Sequence, residues 1–192
     1  MHILSPFLFA ISANTDNFVV GLSYGIKKIK IGLVSNLLIA LISLVGTILS
    51  MLVGKIIFSF IPEIISNSIG SIMLMLIGSW TLVKPILKNI HSDDILENPE
   101  KADTDNSSSI DPKESIALAF ALTINNIGLG IGASITGLNI AITSSLTFIL
   151  SLLTIIIGYA FGSYCLSKVF SKRATIISGL IIIALGIYEM LI

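Results

Sequence analysis

The chain has 192 residues, of which 54% are hydrophobic and 11% are charged, and its formal net charge at pH 7 is zero. Its mean hydropathy of +1.00 exceeds what a soluble domain of this length needs, so the composition predicts an all-α, polytopic membrane protein. Zero net charge gives no attraction to nucleic acid. The single cysteine, Cys165, excludes an internal disulfide.

Six apolar runs are long enough to cross a bilayer, for which about 20 residues suffice. In chain order they are Ile3–Ile26, Leu33–Ile57, Ile64–Val83, Ile116–Ile135, Ile140–Tyr164 and Ala174–Ile192. They predict six transmembrane helices. A signal peptide is disfavoured for the first run, because no basic segment precedes it and the apolar residues continue to Ile26.

The first run carries polar residues at its centre, where Asn14, Asp16 and Asn17 follow one another closely. A charged side chain at the bilayer centre costs about 2.5–3.5 kcal/mol on insertion scales. Such residues usually face a bundle interior and mark the path of an ion or a substrate. We therefore interpret this stretch as a binding site. A hydrogen-bonded contact between helices is the alternative.

A polar segment, residues 89–112, separates the third and fourth runs. It contains, or adjoins, eight of the eleven acidic residues, and it has no aromatic residue. This composition predicts a disordered linker between a first three-helix repeat, residues 1–88, and a second, residues 113–192. A cation-sensing role for its acidic residues is the less common alternative.

The basic residues predict the orientation in the membrane. Ten of the eleven Lys and Arg residues lie in the loops that follow the first, third and fifth runs, and only Lys55 lies on the other side. The positive-inside rule places those loops, with residues 89–112, in the cytoplasm. Both termini of this multi-pass protein are then outside the cell membrane.

The two halves of the chain are similar to each other when the sequence is shifted by 109 residues. The informative matches pair Asn17 with Asn126, Gly21 with Gly130 and Asp16 with Asn125, and Trp80 lies near Tyr188 in the third and sixth runs. Because each half has three spans, the second half enters the membrane from the opposite side. The pattern predicts an inverted repeat, in which secondary transporters place their site at the midplane.

The candidate ligands at the two centres are all oxygen donors: Asp16, Asn17, Asn125, Asn126, Asn14 and Thr123. Oxygen donors favour hard cations such as Mn²⁺, Mg²⁺ or Ca²⁺. Small residues allow helices to approach closely, and those nearest the centres are Gly21, Gly25, Gly128, Gly130 and Gly132. Hydroxyl residues add weaker stripes on the second and fifth runs: Ser43, Thr47, Ser50, Thr147, Ser151 and Thr154.

These residues, on a three-plus-three membrane repeat, resemble the MntP-type manganese efflux pump family, and its sporulation-associated branch in particular. The motifs that carry the resemblance are Ser12, Asp16, Phe18 and Gly21 in the first half and Thr123, Asn125 and Gly130 in the second. The resemblance implies export of a divalent cation, Mn²⁺ first, with Asp16 and Asn125 as metal ligands. Manganese-exporting members carry an acidic residue at both centres, so Asn125 halves the available countercharge.

Two alternatives remain: a sporulation membrane protein that keeps the fold without transporting, and an exporter of a small organic solute. An enzyme is not expected, because the chain has no nucleophile–base pair, phosphate-binding glycine loop or His-Glu-x-x-His motif. No resident cofactor is expected, and membrane lipid and a transported cation are the expected partners. The oligomeric state is left open. The repeat also predicts that Asp16 and Asn125 approach each other inside the bundle.

Overall fold

A computed structural model describes residues 3–87, 99–164 and 169–191. Its helices are α1 Leu4–Ala13, α2 Thr15–Lys27, α3 Leu33–Phe58, α4 Glu63–Leu87, α5 Pro112–Ile135, α6 Ile140–Tyr164 and α7 Val169–Leu191. A 3₁₀ helix, Pro99–Ala102, and two short strands, β1 Lys30–Ile31 and β2 Ser109–Ile110, complete the described elements. The mostly helical fold confirms the predicted all-α class.

The first predicted span is divided in two. Helix α1 ends at Ala13 and α2 begins at Thr15, with Asn14 between them at φ −99° and ψ 9°. The side chain of Asn14 donates to the carbonyl oxygen of Ala10 at 2.8 Å, and such local bonds compete with the helical backbone ladder. Helix α5 is continuous but bent, because its arms 112–124 and 126–135 meet at an angle of 45°.

The surface of the helices is that of a membrane protein. Among the described residues, α3 and α6 are each long and apolar enough to cross a bilayer, and α5 joins them if its two arms count as one span. Residues 68–83 of α4 and 180–191 of α7 form shorter apolar helices. Large apolar side chains such as Leu33, Phe60 and Trp80 are exposed, whereas a soluble monomer rarely exposes contiguous apolar surface on this scale.

The helices pack in pairs around two apolar clusters. Helix α3 packs on α5, α6 packs on α1 and α2, α4 packs on α7, and α3 also contacts α6. One cluster includes Tyr24 and Leu118, and the other includes Phe9 and Leu129. The chain therefore passes from the second cluster to the first along α1 and α2, and in the opposite direction along α5.

Residues 99–112 are folded against the helices, contrary to the disorder expected for them. Strand β2 pairs in parallel with β1, Ile110 is only 2% exposed within the first apolar cluster, and Ser35 donates to the Ile110 carbonyl oxygen at 2.7 Å. Composition averaged over the whole segment hides these local contacts. Residues 89–98 of the predicted linker lie outside the described residues.

Candidate functional site

Asn14 and Asn17 are buried where α1 and α2 meet α6, and they are 1% and 2% exposed. The Asn14 amide nitrogen donates to the carbonyl oxygen of Thr147 at 3.2 Å. The Asn17 amide nitrogen donates to Asn14 Oδ1 at 3.0 Å and to Ser151 Oγ at 2.8 Å. These bonds hold the interrupted first span against α6 at the depth of its polar centre.

Asn126 joins the polar centre of the second half to that of the first. Its amide nitrogen donates to the carbonyl oxygen of Ala13 at 2.7 Å. Ala13 is the last residue of α1, and the final carbonyl groups of a helix have no partner within it. A side chain from α5 therefore caps the end of α1.

A small polar cavity of about 10 Å³ lies between α3 and α5. Its lining consists of glycine and residues with side-chain oxygens: Ser43, Gly46, Thr47, Ser50, Thr123 and Asn126. Thr123 Oγ1 is buried there without a hydrogen-bond partner, as is Thr147 Oγ1 on α6. Buried polar atoms normally have partners, and a cavity of this size has room for about one water-sized group. The site therefore offers oxygen atoms to a small ligand.

Asp16 lies in the first turn of α2, and its side chain is partly exposed. Because the first span is interrupted at Asn14, the carboxylate stands at the start of a new helix. The positive end of the helix dipole stabilises a negative charge at that position. The side chain of Asn125 lies outside the described residues, so its predicted approach to Asp16 stays a prediction.

Glycines bring α2 and α6 into backbone contact. A Cβ atom added at Gly21 or Gly25 would overlap carbonyl oxygens of α6, and one added at Gly158 or Gly162 would overlap carbonyl oxygens of α2. The two pairs have the same four-residue spacing and face each other. The sequence predicted this role for Gly21 and Gly25 but did not single out their counterparts on α6.

The other three predicted glycines lie against α3 and α4. An added Cβ would meet the Ser50 side chain at Gly130, come within 3.1 Å of Leu74 at Gly132, and lie 3.4 Å from Ile77 at Gly128. Only the Gly128 contact has ordinary van der Waals spacing.

Hydroxyl residues and glycines of α3 and α6 repeat at a separation of 104 residues. This register pairs Ser43 with Thr147, Thr47 with Ser151, Ser50 with Thr154 and Gly54 with Gly158. The sequence gives these residues only as weak polar stripes. Their common register was the available signal that they form equivalent surfaces.

The second half of the chain, residues 89–190, matches the family model described as "Mntp: Putative manganese efflux pump". The "Probable sporulation protein YtaF" of Bacillus subtilis is 31% identical over 99% of this chain and 100% of that protein. The chain belongs to the MntP family. A further MntP relative, the "Putative manganese efflux pump MntP" of Crocosphaera subtropica, is 34% identical over 91 residues, which are 45% of this chain and 46% of that protein. No solved structure is significantly similar to the chain.

Membership of the MntP family confirms the resemblance noted in the sequence. Together with the apolar helices, it identifies an integral membrane protein. The relative that matches over the full length has a name that refers to sporulation, and the other has a name that refers to manganese efflux.

Proposed function

We propose that the chain is a secondary transporter that exports a divalent cation through a mid-membrane site around Asp16, Asn17, Asn125 and Asn126. Mn²⁺ is the leading candidate for that cation. The observation that carries the proposal is that the polar centre of each half coincides with an irregularity of its helix, which is the break at Asn14 in one half and the 45° bend beside Asn126 in the other. Irregular backbone at membrane depth is tolerated where it is buried in protein or lines a cavity. In transporters, such broken helices form the substrate site.

The helix contacts support two inverted three-helix halves that make up six spans. When the halves are exchanged, α1 and α2 together correspond to α5, α3 corresponds to α6, and α4 corresponds to α7. The α3–α5 contact then maps onto the contact of α6 with α1 and α2, while the α4–α7 and α3–α6 contacts map onto themselves. The residue contacts follow the same exchange. Asn17 bonds to Ser151, and the equivalent residues, Asn126 and Thr47, line one cavity.

The donor set favours a hard cation. Amide, hydroxyl and carboxylate oxygens suit Mn²⁺ better than they suit softer metals. Asp16 would supply the only carboxylate of the site and, because a charge at that depth must be paired or neutralised, would also carry a proton when the cation leaves. Asn125 would contribute a neutral oxygen ligand in place of a second carboxylate.

The proposed orientation places both termini outside the cell and the loops after the first, third and fifth spans in the cytoplasm. The β1–β2 pairing supports the placement of the loops after the first and third spans on one side of the membrane, because Lys30 follows the first span and its partner Ser109 precedes the fourth. Two segments that pair in one sheet must lie on the same side of the membrane. Two proposed spans, α3 and α4, lie between the strands, and an even number of spans satisfies that requirement.

The proposal is tested in cells that lack their own Mn²⁺ exporter. Expression of the wild-type chain is expected to lower cellular manganese several-fold after a manganese load, as measured by elemental analysis. Asp16→Asn is expected to lose this effect, because an amide can neither neutralise the cation nor carry a proton. Glu63→Gln, at the first residue of α4, is the matched control and is expected to behave as wild type. Equal manganese content with Asp16→Asn and wild type would refute the proposal.

A second function, a sporulation membrane protein without transport activity, is favoured by Asn125 at the position where manganese exporters of the family carry an acid. Thermal unfolding of purified protein separates the two. The transporter proposal expects Mn²⁺ to stabilise the wild type more than it stabilises Asp16→Asn, and to stabilise Asn125→Asp further. Loss of transport instead predicts the same Mn²⁺-dependent shift in the wild type and in Asp16→Asn, and a larger shift only in Asn125→Asp.

A further inference from the structure

The loop that leads into α5 has the spacing of a calcium-binding loop. Within the twelve residues 103–114, residues with side-chain oxygens occupy positions 1, 3, 5, 7, 9 and 12, namely Asp103, Asp105, Ser107, Ser109, Asp111 and Glu114. In an EF-hand loop, positions 1, 3, 5, 9 and 12 provide ligand side chains and position 7 provides a backbone carbonyl, with Glu at position 12. This spacing is a property of the sequence, independent of the coordinates. It matches the EF-hand signature at positions 1, 3 and 12 and departs from it at position 5, where Ser107 replaces Asp or Asn, and at position 6, where Ser108 replaces Gly.

The structure brings three of the four carboxylates of this motif together, and Asp111 lies outside the group. Carboxylate oxygens of Asp103, Asp105 and Glu114 all lie within 4.8 Å of one another. The position-5 and position-7 ligands also meet, since Ser107 Oγ is 3.0 Å from the carbonyl oxygen of Ser109. The negative carboxylates repel each other at such separations, and a divalent cation bound among them would attract all three and offset that repulsion.

The loop has the sharp turn that the motif requires. EF-hand loops have glycine at position 6, and the residue at that position here is Ser108, whose φ of +60° lies in the left-handed region. The two carboxylate oxygens of Asp103 accept the amide protons of Ser107 at 2.9 Å and Ser108 at 3.0 Å. The chain thus adopts the turn despite the Cβ atom at position 6.

The loop is anchored at its positions 8 and 12 to the helices that carry the polar centre. Ile110, at position 8, lies in β2 and pairs with β1, which follows α2. Glu114, at position 12, is the third residue of α5, and its Oε2 accepts the backbone amide proton of Asp111 at 3.1 Å. A ligand bound by the loop would therefore contact the start of α5 directly.

We propose that residues 103–114 form a second cation site, specific for a hard divalent cation of the Ca²⁺ class and separate from the mid-membrane site. Its ligands are the side chains of Asp103, Asp105, Ser107, Asp111 and Glu114 and the carbonyl oxygen of Ser109. Ca²⁺ is favoured over Mg²⁺, because this set provides six or more oxygens, whereas Mg²⁺ demands a compact octahedron and keeps several waters.

Calorimetric titration of the full-length protein in detergent tests the proposal. After metal removal with EDTA, CaCl₂, MgCl₂ and MnCl₂ are titrated in separate arms. One Ca²⁺ per chain is expected at the loop, with weaker binding of Mg²⁺. Asp105→Asn and Glu114→Gln are expected to weaken Ca²⁺ binding at least tenfold, and Ser108→Gly to bind at least as tightly as wild type.

Two controls separate the loop from other acidic groups. Asp94→Asn changes an acidic residue of the same segment outside the twelve and is expected to leave Ca²⁺ affinity unchanged. Asp16→Asn is expected to retain Ca²⁺ binding as well, so failure of the transport proposal would not affect this one. Thermal unfolding without metal checks the fold of Glu114→Gln, whose parent residue also caps α5, whereas Asp105 is exposed.

Three results would overturn the site. The first is the absence of saturable Ca²⁺ binding by the wild type. The second is equal Ca²⁺ affinity in wild type and Asp105→Asn. The third is binding of Mn²⁺ without any binding of Ca²⁺, which would contradict the Ca²⁺ class.

Discussion

The side-chain amide of Asn126 donates a hydrogen bond to the carbonyl oxygen of Ala13, 113 residues earlier in the chain, at 2.7 Å. Ala13 ends α1 at the interruption of the first span, and Asn126 begins the second arm of α5. The break in the first span and the bend in α5 are thus bonded to each other. Neither can move without breaking or stretching this contact, which places Asn126 at the junction of the two halves.

Substitution of Asn126 with alanine removes this bond and leaves the Ala13 carbonyl oxygen without its donor. Side-chain hydrogen bonds between membrane helices contribute about 0.6 kcal/mol on average and up to about 1.7 kcal/mol. We expect Asn126→Ala to lower the free energy of unfolding in detergent by an amount in that range. Ser145→Ala, at an exposed position of α6, is the control. Equal loss of stability in both variants would show that the bond has no specific role.

The glycine contact between α2 and α6 predicts a sharp difference between two Gly→Ala variants. A Cβ at Gly25 would overlap the backbone of α6, whereas one at Gly128 would lie 3.4 Å from a flexible Ile77 methyl group. Overpacking typically costs 1–3 kcal/mol, so we expect about that loss of stability for Gly25→Ala and little change for Gly128→Ala. Thermal unfolding checks the order. A more damaging Gly128→Ala would contradict the packing.

The proposed orientation predicts opposite accessibility for two engineered cysteines. In a Cys165→Ser background, Phe60→Cys labels the turn between α3 and α4, and Lys113→Cys labels the start of α5; both parent residues are exposed. A membrane-impermeant maleimide applied to intact cells is expected to modify the cysteine at position 60 only. After cell lysis, position 113 is expected to react as well. The reverse pattern would invert the orientation, and reaction at both positions in intact cells would rule out the proposed topology.

Two carboxyls of the 103–114 loop give a pH prediction. Desolvation raises the pKa of Glu114, but hydrogen bonds from the Thr104 side chain and backbone and from the Asp111 backbone outweigh it and hold that pKa below its ordinary 4.5. Hydrogen bonds from Ser107 lower the pKa of Asp105 below its ordinary 3.8. Groups with a lowered pKa stabilise the folded loop when the pH is above their ordinary pKa values. This stabilisation disappears as the pH falls through their lowered pKa values.

Hydrogen exchange at the backbone amides of Thr104 and Ser107 measures this effect. After correction for intrinsic rates, we expect protection to be constant near neutral pH and to fall at acidic pH below the ordinary value of Glu114. Glu114→Gln is expected to remove most of the pH dependence at Thr104 and to leave that at Ser107. Protection at Thr104 that is unchanged by acid would contradict the hydrogen bonds assigned to Glu114.

Hydropathy predicted most of the helix bounds. Helix α6 spans the predicted Ile140–Tyr164, and α3 ends at Phe58, next to the predicted Ile57. Helix α5 begins at Pro112 rather than Ile116, because its first turn is a polar capping box that an apolar window excludes. Lipid-facing and buried positions are both apolar here, so hydropathy located the helices but could not show which faces meet.

Features that depend on single hydrogen bonds or on exact spacing were not predicted. The break at Asn14 arises because one amide competes with the backbone, and an average over twenty residues does not register that. Residues 89–112 were interpreted as a disordered linker because acidic composition was counted without regard to position. The pairing of Asn17 with Ser151 required the relative rotation of two helices, which follows from glycine contacts that only the folded backbone displays.

Transport of Mn²⁺ by purified protein in liposomes is the most direct test of a mid-membrane cation site at Asp16. Wild-type protein is expected to move Mn²⁺ across the bilayer faster when protons can flow down their gradient in the opposite direction. Asp16→Asn is expected to reduce the rate of Mn²⁺ transport at least tenfold while keeping wild-type Ca²⁺ binding at the 103–114 loop. Glu63→Gln is expected to transport at the wild-type rate. Mn²⁺ flux through Asp16→Asn at the wild-type rate, or no wild-type flux above that of protein-free liposomes, would contradict the proposed site.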